Sequence, residues 1–309
     1  MHEERVKISV IMGIYNQQNT EQLSEAIHSV LEQSFREFEF IIYNDGSDAD
    51  VTEYLRECSR LDDRIRFIDS PVNHGLAYSL NSCIGVARGK YIARMDGDDI
   101  CLPKRLQIQY DYLEQHPEIA FVGGNACLLE DNDIWGVRRM PASPNARDFL
   151  RYSPYIHPSI MIRRSVFEET EGYHTERGTL RCEDYELFMR LWRLGYQGHN
   201  LQQELLLYRE DRASYQKRRW CYRIDEMKLR YRNFKELHIL FPNGWIYVLR
   251  PLAAAIVPGN VILGVKKLYC RAAQRKLSAA QSGVVQSGPE TGVIRQIWEN
   301  YERSSYGKA

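Results

Sequence analysis

Three carboxylates crowd one short stretch of the chain, Asp96-Gly97-Asp98-Asp99, directly after the strand-like run Tyr91-Ile-Ala-Arg-Met95. Alternating carboxylates on a tight turn can hold a hard divalent cation, Mg2+ or Mn2+, and leave positions open for diphosphate oxygens. A helix–loop–helix calcium site is excluded, because Gln107 and not Glu falls at the twelfth position counted from Asp96. Two further carboxylates stand where chemistry could use them: Asp45 in Asn44-Asp45-Gly46-Ser47, and Asp184 in Arg181-Cys182-Glu183-Asp184. On position alone Asp184 reads as the cap of the helix that follows it. The seven cysteines are scattered and contain no C-x-x-C pair, so neither a disulfide framework nor a thiolate zinc site is suggested.

The elements that must position these residues alternate between strand and helix over the first hundred residues, the pattern of a mostly parallel sheet covered by helices. Ile8 to Tyr15 is a near-continuous apolar run, as expected of a strand buried on both faces. Thr20 can cap the helix that follows, whose buried stripe is Leu23, Ala26, Ile27, Val30 and Leu31. Phe38 to Tyr43 is the next strand, with Asp48 or Asp50 capping a second helix, and Ile65 to Ile68 a third strand. Leu76 to Ala87 reads as a helix, and Tyr91 to Met95 as the strand that delivers the acidic turn. Ligands of open parallel sheets bind outside the carboxyl ends of the strands, so Tyr15, Asn16, Asp45 and the Asp96 cluster should converge on one edge. Beyond them the pattern predicts a helix from Pro103 to Gln115, a strand from Ile119 to Val122 and a loop-rich region from Asn125 to Ser153. A strand from Ile156 to Arg163 and a helix from Glu183 to Leu194 follow.

At 309 residues, 44% hydrophobic and 27% charged, the chain suits one substantial α/β domain with an appendage. The formal net charge of +0 hides an asymmetry, since Leu205 to Lys276 holds sixteen Lys and Arg against five Asp and Glu, a net of +11. After Leu205 the pattern turns helical, basic and aromatic, with helices expected over Tyr215–Leu237 and Gly244–Ile256. The apolar segment Trp245 to Val265 is interrupted by Arg250, Pro251 and Pro258, which argues against an intact spanning helix and for packing on the domain or at a membrane surface. The apolar run near the N-terminus is too short to span and is followed by no cleavage region, which points to a cytosolic protein. Three parts are expected: 1–214 as the catalytic domain, 215–276 as a basic helical extension and 277–309 as a flexible tail with a short helix.

Ser9-Val-Ile-Met-Gly-Ile-Tyr-Asn16, Asn44-Asp-Gly-Ser47, Gly89-Lys-Tyr-Ile-Ala-Arg-Met-Asp-Gly-Asp-Asp99 and Glu183-Asp184 occur in the order seen in family 2 glycosyltransferases. The resemblance covers Val6 to Ser214 and is nearest to bacterial exopolysaccharide and capsule enzymes, which also build biofilm matrix. It implies the A-type nucleotide-diphosphosugar transferase fold and inversion at the anomeric carbon. It also implies a divalent metal, Mn2+ or Mg2+, a nucleotide-sugar donor, and a glycan or lipid-linked acceptor.

Carried over residue by residue, the resemblance places Ile14, Tyr15 and Asn16 near the nucleoside and gives Asp45 the uracil imide N–H. Asn44 departs from the family's commoner Asp-Asp pair. Gly75 would let backbone approach the nucleotide; as a residue of a helix-start turn it would serve equally well. Asp96 would face ribose or metal, and Asp98 would be the direct metal ligand. Asp184 matches the family's general base, preceded by Glu183, and His157 in His157-Pro158-Ser159 borders the acceptor side. Tyr208-Arg209-Glu210-Asp211 resembles a late family motif with Asp211 in place of its usual His, leaving Arg209 as a diphosphate partner. Gln216-Lys-Arg-Arg-Trp220 satisfies the Q-x-x-R-W pattern of processive synthases; without their membrane helices it reads as a coincidence on a basic helix with Trp220 packed inward.

The reading is therefore transfer of one hexose or hexosamine unit from a UDP-sugar to a hydroxyl of a lipid-linked glycan precursor at the cytosolic membrane face.

 A sugar nucleotidyltransferase is the nearest rival enzyme, but Gly13-Ile-Tyr-Asn-Gln-Gln-Asn19 lacks the Gly-rich basic loop it would need. A rival of another class is a transferase-like protein with a non-catalytic role, docking a protein partner through its basic C-terminal helices. Peripheral contact with an anionic membrane, or with other polysaccharide-assembly proteins, is expected of those helices. No nucleic-acid partner is expected.

Overall fold

The structure, a computed structural model, describes residues 6–130, 133–210, 220–256 and 264. Ile8–Ile14 (β1) and Phe38–Asp45 (β2) are buried almost throughout, as parallel strands covered on both faces must be. They pair in parallel, Ile8 opposite Phe38 through Ile14 opposite Asn44. Ile65–Ser70 (β3) joins β2, and Tyr91–Arg94 (β4) joins β1, both also parallel. Parallel pairing needs crossovers, which Thr20–Leu31 (α1), Ala49–Cys58 (α2) and Leu76–Val86 (α3) supply. In α1 the side chains of Leu23, Ala26, Ile27 and Val30 are fully buried, each worth about 1.5–3 kcal/mol for a large apolar side chain and less for Ala26. Its cap is Asn19 and not Thr20: Asn19 Oδ1 accepts the Gln22 N–H at 3.1 Å, and Thr20 is already helical. Asp48 does precede α2, but its side chain makes no capping bond.

The second half adds Ile100–Cys101 (β5), Arg105–Gln115 (α4), Ile119–Glu130 (β6), Asp133–Arg138 (β7), Met161–Arg163 (β8), Arg164–Thr170 (α5), Glu183–Arg193 (α6) and Gln197–Arg209 (β9). The strand order is β3-β2-β1-β4-β8-β6-β9-β5, with β7 paired to β6. The result is the expected α/β architecture, a mixed sheet with a parallel N-terminal half and helices on its faces. β8 runs antiparallel to both β4 and β6, and so joins the two halves.

Three sequence expectations need correction here. The strand expected over Ile156–Arg163 begins only at Met161, because Pro158 has no N–H for a ladder and His157–Ser159 forms a 3-10 turn closed by Ser159 N–H to Ile156 O at 2.9 Å. The region expected to be loop-rich opens instead with the long remainder of β6 and its β7 hairpin. The strand expected over Ile119 to Val122 does not stop there: β6 passes through Gly123-Gly124 with irregular register against β9 and continues to Glu130. Leu205 to Arg209, assigned to the start of a helical region, is the end of β9.

Trp220–Glu236 (α7) and Gly244–Ile256 (α8) are helical, as expected for those stretches; residues 211–219, where Asp211 and most of the Gln216–Trp220 pattern fall, lie outside the described residues. Leu229 and Phe234 of α7 and Val248 of α8 pack into the same apolar cluster as Leu187 and Phe188 of α6. Trp220 does not pack inward: it is 58% exposed. Among the described residues no helix is long and apolar enough to cross a membrane.

Candidate active site

The carboxyl ends of β1, β2 and β4 lie side by side, and the turns that leave them are cross-linked. The Asn16 N–H donates to Ser47 Oγ at 3.0 Å, and Asn16 Oδ1 accepts the Asp48 N–H at 2.7 Å. Tyr15, between them and Ile14, is 56% exposed, whereas Ile14 is buried. The acidic turn rests on Ile14: a Cβ on Gly97 would come within 2.3 Å of Ile14 Cδ1, so a larger residue between the two carboxylates would have to displace the end of that side chain.

Asp45 is bonded on both carboxylate oxygens. Oδ1 accepts the His74 N–H at 2.8 Å, and Oδ2 accepts the Gly75 N–H at 2.8 Å and Asn73 Nδ2 at 3.0 Å. It thereby fixes the turn that starts α3, where Gly75 sits at a φ of +91° with nothing within 4 Å of where a Cβ would stand. Asn44, the departure from the family pattern, is buried and fully used. Its Nδ2 donates to Thr52 Oγ1 at 2.9 Å and to Asp69 Oδ1 at 2.8 Å, while its Oδ1 accepts the Ser47 N–H at 3.2 Å. An aspartate there would lose both donors and face the Asp69 carboxylate.

Asp96, Asp98 and Asp99 each bring a carboxylate oxygen within 4.8 Å of the others. Burial, reinforced by the charge of Asp96, pushes the Asp98 carboxyl up to about 6, and burial with the charges of Asp98 and Asp96 holds Asp99 well above the usual range. Asp99 Oδ1 accepts the Arg209 N–H at 2.8 Å, and its Oδ2 is buried without a hydrogen-bond partner. Crowded carboxylates that resist ionisation, one with an orphaned oxygen, fit a divalent cation, since oxygen ligands of this kind suit Mg2+ and Mn2+. Arg209, expected to meet diphosphate, has its guanidinium paired with Glu25 of α1.

Glu183 and Asp184 begin α6. The residue at the cap position is Cys182, so Asp184 is not the cap; it lies one turn-step inside, where free backbone N–H groups favour an anion. Burial raises both carboxyls, for Glu183 with help from the Asp184 charge. The Glu183 Oε2 atom has no hydrogen-bond partner. α6 is held by Arg190, which pairs with Glu186 and donates to the carbonyls of Thr170 at 2.5 Å and Gly172 at 2.6 Å. His157 is buried, and its Nε2 lies 2.8 Å from the Tyr173 hydroxyl. Burial, with the Arg94 charge, keeps it neutral by holding it well below its ordinary value. The imidazole assigned to the acceptor side is thus engaged within the protein.

Two residues that the sequence reading passed over link these groups. Arg94 pairs with Asp96, and Tyr173 feels the charges of Arg94, Asp184, Glu183 and Asp96. Tyr173 is itself pinned by Asn81, whose Oδ1 accepts its N–H at 2.8 Å and whose Nδ2 donates to its carbonyl at 2.7 Å. The available signal for Arg94 was a charge closing an otherwise apolar strand two residues before Asp96. Tyr173 carried no such mark. The site therefore has one group at the ends of β1 and β2, with Asn16, Asp45 and Gly75, and a second group in which Asp96, Arg94, Tyr173, Glu183 and Asp184 share one electrostatic neighbourhood.

The chain is similar to proteins named as glycosyltransferases. Over 257 residues the chain is 36% identical to the putative glycosyltransferase EpsE of Bacillus subtilis, spanning 83% of this chain and 91% of that one. It is 28% identical over 260 residues to the amylovoran biosynthesis glycosyltransferase AmsE of Erwinia amylovora, spanning 82% and 96%. In structure it resembles S. aureus TarS 1-349 in complex with UDP-GlcNAc, with a TM-score of 0.57 at 16% identity over 80% of this chain and 81% of that one. It also resembles the mannosyltransferase PcManGT of Pyrobaculum calidifontis in complex with GDP-Man and Mn2+, with a TM-score of 0.56 at 16% identity over 90% and 84%. Residues 9–171, which carry the turns after β1 and β2 and the acidic turn, match the model of Glycosyl transferase family 2, and the chain belongs to that family.

Proposed function

We propose that this glycosyltransferase moves one hexose or hexosamine unit from a UDP-sugar to a hydroxyl of a glycan or lipid-linked precursor, with inversion and with a divalent metal, in bacterial exopolysaccharide or capsule assembly. The observation that carries the reading is the joint placement of the acidic turn and the Glu183–Asp184 pair about Arg94 and Tyr173. A single displacement needs charge neutralisation at the leaving diphosphate and a base at the attacking hydroxyl. Asp96 and Asp98 would hold the ion, which supplies positive charge to the departing diphosphate. Asp184 takes the proton of the acceptor hydroxyl as its oxygen bonds to the anomeric carbon and the bond from that carbon to the diphosphate oxygen breaks. A base with a raised pKa is better matched to that proton than an ordinary carboxylate.

Uridine is favoured by Asp45. A carboxylate oxygen accepts two hydrogen bonds, and Oδ1 has one from the fold, which leaves capacity for an imide N–H. A polysaccharide acceptor is supported by relatives named for amylovoran and O-antigen biosynthesis. The exposed face of α7 and α8 adds a membrane reading. Trp220, Tyr231, Phe241 and Trp245 are exposed there together with Lys228, Arg232 and Lys235, the mixture of aromatic and basic groups that suits an anionic bilayer surface. Release of nucleoside diphosphate from a panel of UDP-, GDP- and dTDP-sugars, with Mn2+ and with chelator, tests donor and metal together. Turnover of GDP-sugars alone, or turnover unaffected by chelator, would overturn the corresponding part.

A further inference from the structure

Arg94 is 4% exposed at the last position of β4. Its backbone is spent in the sheet, the N–H donating to Ile160 O at 2.9 Å and the carbonyl accepting from Arg105 Nη2 at 2.8 Å. Its guanidinium pairs with Asp96 through Nη2, while Nε and Nη1 are buried with no hydrogen-bond partner. Buried donors nearly always find acceptors, and a charged one left unpaired is costly. Two other deeply buried arginines of this fold obey that rule. Arg105, buried as deeply, donates from Nε to Gln109, from Nη1 to Cys101 and from Nη2 to the carbonyls of Arg94 and Ile160. Arg190 likewise spends Nε on Glu186 and its two Nη groups on the carbonyls of Thr170 and Gly172.

Arg94 differs from both in where it stands. It touches Asp96 of the acidic turn, and its charge reaches Glu183, Asp184 and Tyr173. A fork of two N–H groups without acceptors, at the centre of a site, is suited to a ligand rich in acceptor oxygens. We propose that Arg94 is a donor-binding residue: its Nε–H and Nη1–H donate to an oxygen of the bound nucleotide sugar, on the diphosphate or on the transferred sugar. The assignment rests on the glycosyl-transfer reading above. It assigns to Arg94 a contact beyond its pairing with Asp96.

The test titrates UDP, and the UDP-sugar most active in the donor panel, into wild type, Arg94→Lys and Arg94→Met by calorimetry with Mn2+. Mn2+ affinity without nucleotide and thermal melting are measured alongside. In Arg94→Met we expect at least about tenfold weaker binding, the scale of losing one charge-assisted bond. An equal loss for UDP and UDP-sugar places the oxygen on the diphosphate; a loss confined to the UDP-sugar places it on the sugar. Unchanged affinity for both in a folded variant overturns the assignment, as does a loss matched by an equal loss of Mn2+ affinity, since Asp96 would then carry the effect. If Arg94→Met does not fold, Arg94→Lys decides, because it keeps the charge but lacks the fork: wild-type affinity in it overturns the assignment. A wild type that binds no nucleotide or nucleotide sugar sinks the glycosyl-transfer reading and this assignment with it, whereas binding that persists in the variants sinks the assignment alone.

Discussion

The backbone N–H of Arg209, the last residue of β9, donates to Asp99 Oδ1 at 2.8 Å and latches the acidic turn to the other half of the sheet. One of the three clustered carboxylates thus has a structural duty that the other two do not share in this form. Among the described residues Asp98 has no comparable bond to a neighbouring strand, and burial, reinforced by the charge of Asp96, raises its pKa.

Asp98→Asn should therefore leave the fold intact and abolish Mn2+-dependent binding of UDP. Removing a carboxylate that the fold already resists ionising costs little stability, so the melting temperature should not fall. Calorimetry with and without Mn2+ checks this. UDP affinity equal to wild type in the presence of Mn2+ would refute Asp98 as a ligand.

Asp184→Asn separates chemistry from donor binding. It should retain UDP-sugar affinity and lose transfer by at least about a hundredfold, the lower end for removal of a general base. The pH profile gives an independent check. The active form is the carboxylate, and burial raises its pKa, so kcat/KM should fall as pH drops through a midpoint above the ordinary value of 3.8. That acid limb should be missing from whatever activity Asp184→Asn retains. Transfer that persists undiminished in the variant would leave Asp184 with a structural role at the helix start.

The parallel N-terminal half was legible because its strands are apolar on both faces and end in punctuating polar turns, so that Tyr15, Asn16, Asp45 and Asp96 fell on one edge as expected. The long β6 and β9 were not. Gly123-Gly124 imitates a strand end, and β9 mixes exposed Gln202 and Gln203 with buried Leu205 and Leu206, so neither strand keeps one period along its length. In the site, residue types were visible and their bonds were not. His157 could be seen as a candidate ligand of the acceptor, but its bond to Tyr173 depends on residues sixteen positions apart. Asn44 could be seen as a missing carboxylate, but not as the partner of Asp69.

That last pair makes a prediction. Asn44→Asp restores the commoner family residue, yet it should destabilise the protein by about 1–3 kcal/mol, because two buried donor bonds are lost and two carboxylates are brought together. Denaturant unfolding at neutral pH measures the loss. The deficit should shrink as pH falls and the new carboxyl is protonated. A variant as stable as wild type would mean that the Asn44–Asp69 contact is dispensable.

The membrane reading predicts a binding energy with two separable parts. Lys228, Arg232 and Lys235 are exposed on α7, and Phe241 and Trp245 are exposed in the turn and at the start of α8, with Phe241 at 73%. Each well-placed basic residue should add about 1 kcal/mol of attraction to an anionic surface. Replacing Lys228, Arg232 and Lys235 together by Gln should then weaken sedimentation with anionic vesicles roughly a hundredfold and change little with neutral ones. Salt should act in the same direction, since surface charge reaches only about 8 Å at physiological ionic strength. Phe241→Ser with Trp245→Ser should instead remove the portion of binding that survives high salt, because that portion comes from inserted apolar surface. Wild-type binding to anionic vesicles by both variants would remove the bilayer as occupant of this face and leave it to a protein partner or to solvent.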